Sequence, residues 1–339
     1  MTSAEPLLSV QNLKTYFFTD EGVVKAVDGA SFDVFPHQTL GIVGESGCGK
    51  SITARSILRI IDRPGRIVNG HIMLHRPASN NQQRLVDLVT LDADGVEMRS
   101  IRGKDITYVF QEPMTSFSPV HTIGNQIIEA ITYHDKVSEK EARLRAIAML
   151  QRVGIPQPDR TIDQYAFQLS GGLRQRAMIA MALCCGPRLL IADEPTTALD
   201  VTTQARILDL LRDLQQQTGM SIILITHNLG VVAEMANTVA VMYLGRMVEV
   251  APVADIFHAA RHPYTKALLM SIPSIQSVPR QKLPTISGSI PHPYNRPKGC
   301  PFYPRCPNFM PGTCDVYEPE LLPIAENHTV SCFLYHPHK

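Results

Sequence analysis

Three glycines, a lysine and a serine stand at fixed spacing between residues 44 and 51, where the chain reads GESGCGKS. Gly44, Gly47 and Gly49 allow the backbone to turn several N–H groups towards one point. Lys50 can reach a multiply charged anion, and the Ser51 hydroxyl suits the coordination shell of Mg²⁺. The pattern therefore predicts a loop that binds the phosphates of a nucleotide together with Mg²⁺.

The segments that flank this loop are those that would position it. Thr39 to Val43 is an apolar run typical of a short buried strand, and Ile52 to Ile61 has the periodicity of a helix. A helix that begins at the loop adds its partial positive charge to the N–H groups. The alternative is a glycine-rich turn without a ligand, which the strand-to-helix setting disfavours.

Two carboxylates end another apolar run. Asp193 and Glu194 close the segment LLIADE, and ligands of open α/β sheets gather at the ends of such strands. Asp193 would hold Mg²⁺, and Glu194 would orient or deprotonate the attacking water. His227 follows the run SIILIT, and Gln111 follows ITYVF. An acidic helix start and a structural histidine are the alternatives.

A further place for phosphate is the segment LSGGLRQR, in which Ser170, Gly171 and Gly172 precede a basic helix start. Backbone N–H groups at a helix end can receive an anion. Taken alone the motif is weak, because Ser-Gly-Gly is common in loops.

The composition is typical of a soluble globular protein of more than one domain, with 339 residues, 44% hydrophobic. Lys and Arg number 32 against 31 Asp and Glu, so bulk charge argues against nucleic acid as a partner. No run approaches the ~20 apolar residues of a membrane span. We expect a cytoplasmic chain that reaches a membrane only through other subunits.

Alternating strands and helices predict an α/β core with a mostly parallel sheet over the first 250 residues. Leu7 to Phe18 and Val23 to Val34 read as an antiparallel flap. The polar stretch from His75 to Arg84 predicts an exposed excursion between strands. Residues from Val120 to about Arg152 predict helical structure.

The C-terminal part differs in character, because 15 of the 25 prolines fall in the last 88 residues. A segment of loops with little apolar material needs a staple. Four cysteines could supply one, and a reducing compartment favours metal over disulfides. None of their spacings has the two-residue gap usual for structural zinc, so zinc and an iron–sulfur cluster both remain open at this point. These cysteines are Cys300, Cys306, Cys314 and Cys332.

The ordered set GESGCGKS, Gln111, LSGGLRQR, LLIADE, Ala198-Leu199-Asp200 and His227 resembles the ATP-binding cassette (ABC) ATPases. The resemblance implies an ABC-type P-loop NTPase core with an antiparallel β subdomain and a helical subdomain. It also implies head-to-tail dimers that share ATP, with Glu194 as the catalytic base, His227 as the switch residue and Gln111 as a sensor. The nucleotide-site residues implied are Tyr16 or Phe17 at the adenine, Gly44, Glu45, Ser46, Gly47, Cys48, Gly49, Lys50, Ser51, Ile52, Gln111, Asp193, Ser170, Gly171, Gly172, Asp200 and His227, with Mg²⁺ at Ser51, Gln111 and Asp193.

A finer resemblance rests on FQEPMTSFSP, THNLGVVAEM, HPYTKALLMSIP and the cysteine-rich tail. These segments are similar to the ATPase subunits of dipeptide and oligopeptide importers. The resemblance implies a sibling ATPase forming a heterodimer, two membrane permeases and an extracytoplasmic solute-binding protein. It places the chain at the cytoplasmic face of the membrane. It also favours a four-iron, four-sulfur cluster on the four cysteines, with Zn²⁺ as the alternative.

The domains expected are therefore an ABC ATPase domain over residues 1–255, with its helical subdomain at about 112–180, and a small cysteine-rich extension over residues 256–339. Importers of oligosaccharides or metal chelates are alternatives within the same architecture. A soluble ABC switch in DNA repair or translation is a second alternative, and a redox-sensing module that dimerises through its ATPase is a third. Two departures from the family pattern are Asn228 after the switch histidine and Phe117-Ser118 after Gln111.

Overall fold

The computed structural model describes residues 5–77, 83–197, 199–271, 286 and 288–336. The strands are β1 Leu8–Thr19, β2 Gly22–Val34, β3 Thr39–Val43, β4 Gly65–Pro77, β5 Gln83–Asp87, β6 Ile106–Val109, β7 Leu189–Asp193, β8 Ser221–Ile225, β9 Thr238–Tyr243, β10 Arg246–Pro252, β11 Leu322–Ala325 and β12 His328–Val330. The helices are α1 Lys50–Ile57, α2 Val96–Ile101, α3 Pro113–Ser116, α4 Ile123–His134, α5 Glu139–Arg152, α6 Pro158–Thr161, α7 Gly171–Leu183, α8 Val201–Thr218, α9 Leu229–Met235, α10 Val253–Ala259 and α11 Pro263–Met270.

The chain divides into two units. One comprises Met1–Val34, Thr39–Val89 and Ile225–Lys339, and the other comprises Phe35–Gln38 and Thr90–Leu224. The first unit thus contains the glycine-rich loop and the C-terminal tail together. The second contains the two strand-end carboxylates and the helices between them and Gln111.

The predicted antiparallel flap is confirmed. In the first unit, β1 pairs with β2 on one side and with β4 on the other, both antiparallel, and the sheet order is β2-β1-β4-β5. The exposed excursion predicted from His75 to Arg84 is wrong at both ends, because His75 pairs with Leu85 and Arg76 with Arg84 in the β4–β5 hairpin. Polar composition concealed the strands there, since only one of their faces needs apolar residues. The residues near Ser79 lie outside the described part.

The other strands of the first unit follow the order β11-β12-β10-β9-β3. β3 pairs in parallel with β9, and every residue of β3 is buried. The other pairs of this group, β9–β10, β10–β12 and β12–β11, are antiparallel. β3 leads directly into the glycine-rich loop, so a fully buried strand anchors the start of that loop.

In the second unit, β6 and β7 pair in parallel, and the order is β8-β7-β6. The helical region predicted from Val120 to Arg152 is two helices, α4 and α5, separated by an extended break. Thr122 and Ser138 cap the two helices by accepting the N–H groups of Asn125 and Glu141. The break was missed because the Ser138 cap signal is a single polar residue within a polar stretch. Of the helices in the described ranges, none is both long and apolar enough to cross a bilayer.

The tail shares its apolar core with the sheet of the first unit. Phe302 and Phe333 belong to one buried cluster with Val43, Val241 and Tyr243 of the central strands. Cys300 and Cys314 lie in the same cluster. The tail, which we expected to need a staple of its own, is thus also held by packing against β3 and β9. The domain boundary at residue 255 stays a prediction.

A buried carboxylate ties the tail to β10. Glu249, with no exposed surface, accepts hydrogen bonds from the backbone N–H groups of Arg261 (2.7 Å) and His262 (2.9 Å). His328 of β12 donates to the same carboxylate through Nε2 (2.8 Å). Three donors therefore depend on one side chain.

We expect Glu249→Ala to lower the free energy of unfolding by about 3 kcal/mol, because it leaves buried donors without an acceptor. Urea denaturation followed by circular dichroism measures this. The control is Glu326→Ala, which truncates an exposed carboxylate in the turn between β11 and β12 and should change stability by less than ~0.5 kcal/mol. Equal stability of the two variants would contradict the structural role of Glu249.

Candidate functional site

The glycine-rich loop can exist only with glycine at two of its corners. Gly44 and Gly49 have φ values of +154° and +104°. A Cβ atom at Gly44 would lie 2.2 Å from the carbonyl oxygen of Met242, and one at Gly49 would lie 2.2 Å from that of Ala26. The loop is therefore wedged between two strands, while its tip residues Ser46 and Gly47 are exposed.

Lys50 lies within the loop rather than pointing away from it. It is only 6% exposed, and its Nζ donates to the carbonyl oxygens of Gly44 (2.8 Å) and Glu45 (3.0 Å). A buried ammonium group is stable only with such acceptors. Ser51 and Ile52 follow in the first turn of α1, both half-buried. The loop thus holds a positive charge behind an exposed, N–H-rich tip, which suits an anionic ligand.

Cys48, expected to be a neutral filler, is buried at 3% exposure. Burial raises the pKa of its thiol, although the neighbouring Lys50 acts to lower it. Its Sγ would lie 2.8 Å from a Cβ atom on Gly44. The thiol therefore packs closely against the backbone of Gly44.

The loop has two contacts that sequence reasoning missed. Tyr264 of α11 accepts a hydrogen bond from the backbone N–H of Glu45 at its hydroxyl (2.9 Å). Arg305 of the tail forms a two-pronged ion pair with the Glu45 carboxylate, at 2.8 and 3.1 Å. Tyr264 and Arg305 lie 219 and 260 positions after Glu45 in the sequence, so no motif spacing predicts these contacts. Only the shared core of the tail and the sheet brings them together.

The two aromatic candidates for the adenine have different surroundings. The hydroxyl of Tyr16 donates to Asp28 at 2.5 Å, and the ammonium of Lys25 lies 5.6 Å from the ring centroid. Phe17 instead packs its ring against the backbone of Gly65. Burial and the hydrogen bond to Asp28 raise the pKa of Tyr16, so it is a neutral phenol.

In the second unit, the strand-end carboxylate Asp193 is buried at 4% exposure. Tyr108 of β6 donates to its Oδ2 at 2.6 Å, a contact that the sequence did not suggest. The other oxygen, Oδ1, is buried and has no hydrogen-bond partner among the residues that the structure describes. An unpaired, buried, hard oxygen suits Mg²⁺, so this residue fits the predicted ion. The ligand set with Ser51 and Gln111 stays a prediction.

Glu194 adopts a left-handed backbone, with φ of +48°, which is rare for a residue with a side chain. Its Oε2 accepts hydrogen bonds from Gln111 Nε2 (3.1 Å) and Thr197 Oγ1 (2.8 Å). The structure therefore brings Gln111 to the strand-end pair Asp193 and Glu194, through a hydrogen bond between residues 83 positions apart. Backbone strain of this kind persists where the surroundings fix it, and it is common at active sites.

The Ser-Gly-Gly segment begins α7. Ser170 caps the helix by accepting the N–H of Leu173 (3.4 Å), and Ser170 and Gly171 are exposed. A Cβ atom on Gly172 would lie 2.8 Å from Thr203, so only glycine allows α8 to approach this closely. The N–H groups at the exposed start of α7 are therefore not covered by a bulky side chain of this segment.

Asp200 caps the neighbouring helix α8. It accepts the N–H (2.9 Å) and the hydroxyl (2.7 Å) of Thr203, and both hydrogen bonds lower its pKa. The carboxylate is therefore charged at neutral pH. Ala198, part of the same sequence motif, lies outside the described residues.

His227 follows β8 and is exposed. The next residue, Asn228, replaces the aspartate of the family pattern, and its side chain caps α9 by accepting the N–H groups of Gly230 (3.0 Å) and Val231 (3.4 Å). An asparagine performs this capping as well as an aspartate does. Phe117, the other departure, is buried.

The four tail cysteines lie near one another. The backbone N–H of Cys300 donates to the carbonyl of Cys314 (2.8 Å). Burial first, and then electrostatic repulsion from the neighbouring cysteines Cys314, Cys332 and Cys306, raise the pKa of Cys300 to about 12. Burial likewise raises the pKa of Cys332 to about 11, with Cys306 and Cys314 contributing. Over the described residues, no group of three or more His, Cys, Asp or Glu side chains is arranged to hold a metal ion.

Comparison with known proteins gives matches over most of the chain. The family model described as "ABC transporter" matches residues 27–197, and the one described as "Oligopeptide/dipeptide transporter, C-terminal region" matches residues 248–314. The dipeptide transport ATP-binding protein DppD of Bacillus subtilis is 48% identical, with 97% of this chain and 95% of that protein covered. The oligopeptide transport ATP-binding protein AppD of the same organism is 49% identical, with 97% of both chains covered.

Solved structures agree on the fold. The bacterial ABC transporter cassette MJ0796, described as dimeric, superposes with a TM-score of 0.62 at 25% identity, covering 73% of this chain and 98% of that one. The protein cbiO1 of Clostridium perfringens, part of the ABC transporter complex cbiONQ, gives a TM-score of 0.60 at 25% identity, covering 75% and 92%. The fold on which the glycine-rich loop, the strand-end carboxylates and the Ser-Gly-Gly helix start lie is thus that of an ABC cassette. The chain belongs to the ABC transporter ATPase family.

Proposed function

We propose that this chain is the ATP-hydrolysing subunit of an importer for dipeptides or oligopeptides. The observation that carries the proposal is the joint presence of an ATPase site and a tail of the oligopeptide/dipeptide transporter type. Relatives that match over nearly their whole length are named for dipeptide and oligopeptide transport. The importer would include two permease subunits and a solute-binding protein, with this chain at the cytoplasmic face of the membrane.

The residues of the second unit supply the hydrolytic chemistry. Bound Mg²⁺, held through Asp193, would neutralise charge on the phosphates. Glu194 is the base, because its carboxylate is fixed by Gln111 and Thr197 and so can orient the attacking water and accept its proton. Lys50 and the exposed loop tip receive the phosphates. Release of phosphate would change the contacts of Gln111, and this change would be transmitted to the helices that follow Gln111 in the chain.

Two copies of the cassette fold are needed for a complete site under this proposal. Ser170, Gly171 and Gly172 stand at an exposed helix start and would cap the phosphate held by the loop of a partner ATPase. The relative MJ0796 was solved as a dimer, which supports pairing of this kind. A sibling ATPase is the partner proposed here, with Asp200 beside the shared face.

The four cysteines support a four-iron, four-sulfur cluster in the tail. Cysteine thiolates are the usual ligands of such clusters. Cys300, Cys306 and Cys314 line one apolar cluster, Cys332 is close enough to act on the pKa of Cys300, and the tail matches the oligopeptide/dipeptide transporter family. The alternative is Zn²⁺ bound by the same cysteines. The cluster would hold the tail in place, and no redox reaction is assigned to it.

The transport role predicts solute-stimulated ATP hydrolysis. The chain is to be copurified with its permeases, sibling ATPase and binding protein in vesicles, and ATP turnover measured with short peptides and with oligosaccharides. Stimulation by peptides is expected. Stimulation by sugars alone would overturn the peptide assignment, and failure to copurify with any permease would favour a soluble ABC switch.

Glu194→Gln tests the base. We expect ATP binding to be kept, since the amide oxygen can still accept hydrogen bonds, while turnover falls by about a hundredfold or more. The matched control is Glu139→Gln, an exposed glutamate in the first turn of α5, which should keep full turnover. Turnover in Glu194→Gln close to that of the control would show that another group is the base.

Cys306→Ser tests the cluster. Iron and acid-labile sulfide should be present in anoxically purified protein and absent from this variant, as measured by metal and sulfide analysis and by visible absorption. Cys184→Ser, which changes a cysteine at the end of α7, should retain both. Zinc without sulfide in the unmodified protein would contradict the iron–sulfur proposal.

A further inference from the structure

Glu45, the second residue of the glycine-rich loop, has every polar group engaged. Its carboxylate accepts from Arg305, its N–H donates to the Tyr264 hydroxyl, and its carbonyl oxygen accepts from Lys50 Nζ. Two of these three partners belong to the C-terminal part of the chain. The third is the lysine that would meet the phosphates.

The contact between Arg305 and Glu45 is partly buried, and its geometry is fixed by two hydrogen bonds. The Arg305 side chain is 4% exposed and that of Glu45 is 22% exposed. A guanidinium cannot lose its proton, and its planar fork aligns a carboxylate at both oxygens. Nη1 of Arg305 also donates to the Tyr243 hydroxyl at 3.3 Å. The pair therefore restrains both the position and the orientation of Glu45.

A cluster of packed aromatic rings restrains the position of Arg305. Tyr243 packs against Tyr264 (centroids 4.7 Å apart) and against Phe302 (5.3 Å). Phe302 also contacts Tyr264 at 5.4 Å. Since Tyr264 and Tyr243 are both hydrogen-bond partners in the same network, this ring cluster sets the distance between the tail and the loop.

Arg305 is placed by the cysteine segment of the tail. It ends a short 3-10 turn, Tyr303–Arg305, that connects Cys300 and Cys306. The N–H of Tyr303 donates to the carbonyl of Cys300 (3.1 Å), and that of Cys306 donates to the carbonyl of Tyr303 (3.2 Å). Any change in how these two cysteines are held would move the arginine.

We propose that Arg305 is a positioning residue for the phosphate loop, acting through Glu45 so that the cysteine-rich tail sets the affinity of the site for the phosphates of the nucleotide. The proposal rests on the proposed nucleotide site and adds a control point outside it. Without Arg305, the Glu45 carboxylate is left partly buried and unpaired, the loop relaxes towards water, and Lys50 loses a fixed carbonyl acceptor.

The test compares full-length Arg305→Gln, Glu45→Gln and the double variant. Competition against a fluorescent ATP derivative measures the dissociation constants of a non-hydrolysable ATP analogue and of adenosine. Arg305→Gln should weaken the analogue about tenfold, equivalent to the loss of ~1.4 kcal/mol, and leave adenosine within twofold. A fault in folding would weaken both ligands, so the split between them reports the loop alone. Thermal unfolding checks that each variant is folded.

Two further readouts decide the matter. Because the two residues act as one unit, the dissociation constant of the analogue for the double variant should not exceed the larger of the two values for the single variants. Lys298→Gln, an exposed tail cation near Cys300, should bind both ligands normally.

Unchanged affinity of Arg305→Gln for the analogue would overturn the proposal, as would an equal loss for adenosine or effects of the single variants that multiply in the double variant. Failure of the unmodified chain to bind the analogue would instead overturn the proposed function on which the idea rests.

Discussion

A buried ammonium group is the constraint on which the first unit depends. Lys50 is 6% exposed, and under the proposed function its charge attracts phosphate. Water is replaced by carbonyl oxygens of Gly44 and Glu45, so the backbone has to bend back over the lysine. That bend requires the positive φ angles of Gly44 and Gly49, and these glycines in turn let the carbonyls of Met242 and Ala26 press against the loop. The conformation of the loop, the packing of the neighbouring strands and the burial of the lysine therefore depend on one another.

In the second unit, by contrast, the buried charge is negative. Asp193 keeps one oxygen paired with the Tyr108 hydroxyl, and within the described part of the chain its other oxygen has no hydrogen-bond partner. An unpaired buried carboxylate oxygen is costly unless a cation completes it. Glu194 is handled differently, with two donors on one oxygen and a strained backbone. Two adjacent carboxylates with unlike surroundings can perform unlike tasks. Under the proposed function, Asp193 would hold the metal and Glu194 would act on the water.

Local patterns foretold those parts of the molecule in which neighbours in sequence decide the structure. The flap, β3, the loop helix and the helix start after Ser170 follow from alternation, periodicity and glycine spacing, and the family fold was predicted from the motifs. The excursion from His75 was wrong at its ends because polar strand residues resemble a loop. The helical structure predicted up to Arg152 is present as two helices, and the break before Ser138 was not predicted. Tyr108, Tyr264 and Arg305 were missed, since each reaches its partner from a distant part of the chain.

The tail shows why composition alone misleads about a proline-rich segment. Its own apolar residues are few, and a metal staple is a natural expectation for such a segment. Yet Phe302 and Phe333 are buried against strands of the ATPase sheet, and Glu249 accepts three hydrogen bonds that join tail and sheet. The core that these residues share means that the tail does not fold as an isolated module beside the sheet. A ligand on the cysteines would then act on a segment already docked, and its effect would be to adjust the position of Arg305 rather than to create the fold.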